Sequence, residues 1–106
     1  MRARRDPTMF EWDERKRQRN LVDRRIDFLD VLPVFEGPQR VEFEDLRQDY
    51  GERRFVILCP LAGRLIHVTY TMRGMKRRII SARKANRREQ RIYERHRDAD
   101  AGGSHD

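Results

Sequence analysis

Arginine dominates the last third of this chain. The stretch RRIISARKANRREQRIYE, residues 77–94, carries it straight from an apolar run into a segment of helix-forming residues. Guanidinium is a planar, permanently charged fork that matches two oxygens of a phosphate with two parallel N–H donors. Clustered, it is suited to holding a phosphate and to stabilising charge that builds on it. Counting along the chain sharpens the pattern. Residues 53–97 carry 14 basic and 2 acidic side chains, a net +12, whereas residues 26–52 sum to −6 and the whole chain to +7. A lobe of that charge favours a polyanionic partner, because Lys and Arg gain by displacing counterions from phosphates. The alternative is a solvated basic face.

The elements that must position these residues are short. At 106 residues with 41% charged, the chain is one domain with a modest core built from a few well-patterned segments. Phe10, Glu11 and Trp12 can form a short strand before Asp13, which is placed to cap a helix reaching about Arg24, with Lys16, Asn20 and Arg24 on one face. A second helix is expected from Asp27, burying Phe28, Val31, Leu32 and Phe35; Pro33 inside it predicts a kink or an early stop before Gly37-Pro38. Val41 and Phe43 alternate as in a half-exposed strand. The runs FVILC (55–59), RLIHVTY (64–70) and RRIISA (77–82) follow at hairpin-like distances. Asn86 with Glu89 makes a capping box for a last helix docked through Ala85, Ile92 and Tyr93. The expected class is α+β: two N-terminal helices, a mainly antiparallel four-stranded or slightly larger sheet, and a C-terminal helix packed on it. Polar composition marks 1–8 as a disordered lead-in and 98–106 as a tail, leaving 9–97 as the folded body, with Met9 as an alternative start.

A single cysteine, Cys59, lies in an apolar run, which excludes an internal disulfide or a Cys-based zinc site and suits a reducing cytoplasm. Nothing approaches the roughly 18 apolar residues of a membrane span, so neither a secretory signal nor an anchor is expected. No metal constellation, Gly-rich phosphate loop or nucleophile elbow appears, and no cofactor is expected.

FEWDERK with the asparagine at 20, VEFEDLRQDYGERRF, the VTYTMRG hairpin and RRIISARKANRREQRIYE together resemble the BrnT family of type II toxins over about residues 10–94. RIISARKA, followed by Glu and Tyr at helical spacing, is the most specific part. The resemblance implies a compact RelE-like fold and ribonuclease activity that inhibits translation. It also implies neutralisation by a BrnA-type antitoxin, which supplies operator DNA binding in a heterotetramer or larger complex. The chain departs from the family pattern in one place. Members usually carry Lys-His-Gly after the first helix's asparagine, where this chain has Asp23-Arg24-Arg25.

Cleaving RNA without a metal requires removal of the ribose 2′-OH proton, cations on the developing phosphorane, and an acid for the leaving oxygen. Arg73, Arg78 and Arg83 correspond to the arginines of the family pattern. Arg73 is expected at a hairpin tip and Arg83 at the end of the last strand, facing one cleft. Arg83 can instead clamp the acidic segment 42–52, and Arg78 can point to solvent. Glu52, in YGERR beside Arg54, is the general-base candidate, or else a salt-bridge partner for Arg73 or Arg83. Lys16, Arg24, Arg54, Arg78 and Tyr93 are candidate RNA contacts; Tyr93 reads equally as core and Lys16 as a solvated helix face. His67, mid-strand between Ile66 and Val68, reads as structural or exposed, which leaves no histidine well placed for catalysis. A basic binding module that keeps antitoxin or nucleic-acid binding without catalysis is the alternative function.

Overall fold

A computed structural model describes residues 9–103; the expected lead-in 1–8 and the last residues 104–106 lie outside the described residues. Its elements are β1 (Phe10–Trp12), α1 (Glu14–Arg24), a 3-10 helix (Phe28–Glu36), β2 (Val41–Glu44), β3 (Arg54–Leu61), β4 (Arg64–Arg73), β5 (Lys76–Lys84) and α2 (Arg87–Gly103). The last helix continues past position 97, where composition had placed the start of a tail.

The class is α+β, but the sheet has five strands in the order β1-β5-β4-β3-β2. β2 to β5 form the expected antiparallel meander, and β1 adds to its edge in parallel with β5, Phe10 opposite Arg77 and Trp12 opposite Ile79. Alternation along each strand then divides the side chains between two cores. One face buries Ile57, Cys59, Ile66, Val68, Tyr70, Ile79 and Ala82 against Phe10, Ile26 and the 3-10 helix. The other packs Val56 and Leu58, with Phe43 and Leu65, against Ala85, Ile92 and Tyr93.

The segment holding Pro33 ends at Glu36, immediately before Gly37-Pro38 as expected, but it is not an α-helix. It winds as a 3-10 helix through to Glu36, with Asp27 capping it by accepting from Leu29 N. A proline's fixed φ suits 3-10 geometry, and i→i+3 bonding costs it one donor. The tighter period also explains the burial. Phe28, Val31 and Val34, three apart, all turn inward, so Val34 joins the expected set.

Two local features hold α1 on the sheet. Asp13 caps it as expected, accepting from Arg15 N at 2.8 Å and Lys16 N at 3.2 Å. Asn20 then serves as a substitute strand. Its Nδ2 donates to Ala82 O at 2.9 Å and to Ile26 O at 2.8 Å, and its Oδ1 accepts from Ala82 N at 3.3 Å. Three-residue β1 stops at Ile79, so this amide satisfies β5's edge where β1 no longer reaches. Beyond it, Arg25 ends the helix in the left-handed region at φ 60° and ψ 33°.

Candidate functional site

Partners across an antiparallel pair present their side chains to the same face, so the register spells out the face that α2 only partly covers. Its first row is Leu58, His67 and Arg83, and its second Val56, Thr69 and Ser81. Strict alternation would then carry Ile79 onto this face and Arg78 into the core. A β-bulge between Thr69 and Tyr70 intervenes, leaving Ile80 unpaired and resetting β5, so that the third row is Arg54, Thr71 and Arg78, with Glu11 beside it on β1. The bulge therefore brings Arg78 and Arg83, an odd number of residues apart, onto one face, as bulges near sites commonly re-aim a side chain.

At the α2 end, Arg83 donates bidentately to Glu89 at 2.9 and 2.8 Å. Glu89 also closes the expected capping box. Its Oε1 accepts from Asn86 N at 2.9 Å, while its own N–H donates to Asn86 Oδ1 at 2.8 Å. Burial works against the charge on Glu89, but the Arg83 and Asn86 hydrogen bonds outweigh it and bring its pKa down to about 2. Arg83 is thus already engaged with an internal anion, and it is Glu89, not the acidic segment 42–52, that it clamps. His67 sits opposite Arg83, 5% exposed. Burial, and then the Arg83 charge, lower its pKa, so the ring is neutral at pH 7. Its Nε2 is 3.6 Å from Glu89 Oε2, too far for a hydrogen bond. Its Nδ1 is the one buried side-chain polar atom without a partner among the described residues. Both residues line a cavity of about 270 Å³ with Asp45, Arg47 and Arg88. There Asp45 is held well below the usual carboxylate range by hydrogen bonds from Arg47 and Tyr50.

At the other end, Glu52 Oε2 accepts from Arg54 Nε at 3.1 Å, and Glu52 Oε1 lies 3.7 Å from Arg73. Arg54 also stacks its guanidinium 4.3 Å over the Tyr50 ring. In the third row, Arg78 pairs with Glu11 at 2.8 Å. α1 borders the face on the β5 side. A groove there is lined by Lys16, Arg19, Asp23, Arg24 and Ser81.

Arg54, Arg78 and Arg83 therefore share a face, with Lys16 and Arg24 along its border. Arg73 stands apart. It lies on β4 six residues beyond the His67–Arg83 row, roughly 20 Å along the strand, so it and Arg83 cannot grip one phosphate. Glu52 pairs with Arg73 and Arg54 but not with Arg83. Tyr93 packs in the smaller core and donates its hydroxyl to Gln39 O at 2.8 Å, which occupies it structurally. Sequence reasoning missed His67 and Glu89 as site neighbours. Their signal was present, since Arg83 and the capping-box glutamate must meet where the last strand turns into the last helix. Among the described residues, no three His, Cys, Asp or Glu side chains gather as a metal site would need, and no helix is long and apolar enough to cross a membrane.

Residues 12–89 match the family model described as "Ribonuclease toxin, BrnT, of type II toxin-antitoxin system". No curated protein sequence matches the chain.

Proposed function

Since the chain belongs to the BrnT family of ribonuclease toxins of type II toxin–antitoxin systems, we propose that it cleaves RNA at the open sheet face by metal-independent attack of a 2′-OH on the adjacent phosphate. Translation is thereby inhibited in the cytoplasm. The observation that carries this reading is the bulge that sets Arg54, Arg78 and Arg83 on one face. Arg78 and Arg83 on β5 and Arg54 on β3, two strands away, put their guanidinium groups along a track about four residues of strand (~13 Å) long, suited to an RNA backbone that gains charge in the transition state. Glu52, held between Arg54 and Arg73, is the carboxylate placed to accept the 2′-OH proton. Lys16 and Arg24 extend the cationic track for the RNA backbone. Arg73, 3.7 Å from Glu52, stands with it at the far end of the face from Arg83.

The toxin domain on this reading is residues 9–97 in a RelE-like arrangement. A BrnA-type antitoxin masks the +12 lobe in a heterotetramer or larger complex and brings operator DNA to it. A second reading is favoured by one observation. Arg54, Arg73, Arg78 and Arg83 all have carboxylate neighbours, and the family histidine is replaced by Arg24, as expected of a binding module that no longer cuts.

The test is RNA cleavage by purified wild type, Arg83→Ala and Arg83→Lys with a chelator present, beside growth on induced expression. Wild type should cut and arrest growth, with co-expressed antitoxin restoring it. Arg83→Ala should lose about 10²–10³ in rate, and lysine should recover a fraction, having the charge but not the fork. Soluble wild type that leaves RNA intact and growth normal establishes the binding module instead.

A further inference from the structure

Arg83 and His67 face each other across β5 and β4 and reach toward one oxygen. Glu89 Oε2 lies 2.8 Å from Arg83 Nη2 and 3.6 Å from His67 Nε2. While Glu89 holds the Arg83 fork at both of its ends, a phosphate cannot use it, because two anions would compete for the same donors. If a substrate phosphate draws Arg83 away, Glu89 is left as a mostly buried carboxylate without a cation, a state that proteins avoid. The nearest group able to become one is the imidazole.

We propose that His67 is a positioning residue for the RNA-cleaving site: when a phosphate takes Arg83 from Glu89, His67 takes up a proton and replaces Arg83 as the partner of Glu89. This rests on the reading of Arg83 as a phosphate ligand. One proton enters from solvent for each phosphate engaged and leaves when product departs; no covalent bond changes.

The surroundings favour such an exchange. The charged groups facing His67 are Arg83 from β5, Glu89 and Arg88 from α2, and Glu44, Asp45 and Arg47 from β2 and the turn after it. Asp45 is committed to Arg47 and Tyr50, so Glu89 is the carboxylate open to exchange. Asn86 N–H holds Glu89 Oε1 whichever cation is present, which leaves Oε2 to be handed over. In the resting state burial and the Arg83 charge keep the ring neutral. Neutralising that charge with a phosphate and freeing Glu89 both raise its affinity for a proton. The unpaired Nδ1 also fits, since this buried polar atom gives the resting fold no hydrogen bond that an apolar side chain on the strand would lack.

The experiment uses an uncleavable 2′-O-methyl oligoribonucleotide of mixed sequence. Its binding to wild type is measured by calorimetry at pH 7 in buffers of different ionisation enthalpy, and the His67 ring is followed by NMR. Wild type should take up close to one proton and its His67 resonance should move to the protonated position. His67→Gln should bind with no proton uptake. Binding through Arg83 without uptake, with the His67 signal still neutral, overturns the handover and leaves the phosphate reading standing. Arg83→Ala binding as tightly as wild type overturns the phosphate reading, and the handover with it. The NMR readout on wild type decides the matter even if His67→Gln fails to fold.

Discussion

Glu89 lies under opposed forces. Burial disfavours its charge, and the Arg83 fork with the Asn86 amide favours it more strongly, so its pKa falls from 4.5 to about 2. A depressed carboxylate contributes stability that is fully present above its unfolded value and is lost as pH falls through its folded one. The window here runs from about 4.5 down to about 2, and the contribution is on the order of 3 kcal/mol. Glu89→Gln should therefore melt lower at neutral pH and lose less stability on acidification across that window, with the depressed Asp45 still supplying part of the acid limb. Thermal melts at a series of pH values check this; a variant as acid-sensitive as wild type would contradict it. The capping-box half of this arrangement was legible in the sequence, since Asn86 and Glu89 need only three residues of chain to find each other. His67 was assigned to the correct face, opposite Ile66 and Val68, but not to its burial. Alternation describes one strand, whereas α2 and the turn holding Asp45 and Arg47 enclose that ring.

At the scale of elements, the helix end at Arg25 carries strain that its residue type does not relieve. A non-glycine residue at φ 60° costs about 1–2 kcal/mol, and this is where the family pattern has glycine. Arg25→Gly should raise stability by about 0.5–1 kcal/mol after the added unfolded-state entropy of glycine is deducted; denaturant unfolding would show it as a higher midpoint at constant slope, and a lower midpoint would refute it. Asn20 makes the opposite case. Removing its amide leaves Ala82 N–H and C=O and the Ile26 carbonyl unpaired, so Asn20→Ala should cost about 2–4 kcal/mol. The same measurement decides it, loss of less than 1 kcal/mol being the failing result. Helix starts, strand centres and the meander were legible because caps and alternation are local. Three features were not: the 3-10 winding through Pro33, the parallel docking of β1, and the bulge at Ile80. Each depends on what a segment packs against rather than on its own residues, and the bulge decides which arginines share a face of the sheet.

At the scale of the molecule, residues 53–97 carry a net +12, which on the proposed reading is the surface that an antitoxin as well as RNA would meet. Opposite charge accelerates encounter and salt screens it. Association with the antitoxin should therefore slow by about tenfold or more from low to high ionic strength, as stopped-flow mixing would read, whereas a salt-independent rate would exclude steering by this lobe. The sheet order also sets a timetable for synthesis. β1 is the first strand made, yet it pairs with residues 77–79 of β5, the last. Phe10 and Trp12 must wait while about 65 further residues are added, a delay of several seconds at ~5–20 residues per second. Until then the β5 edge is unfinished, Glu11 has no Arg78 to meet, and the row of arginines lacks its border. On the proposed reading, the arginine face of the nascent chain thus stays incomplete until β5 has been made, long after β1 itself.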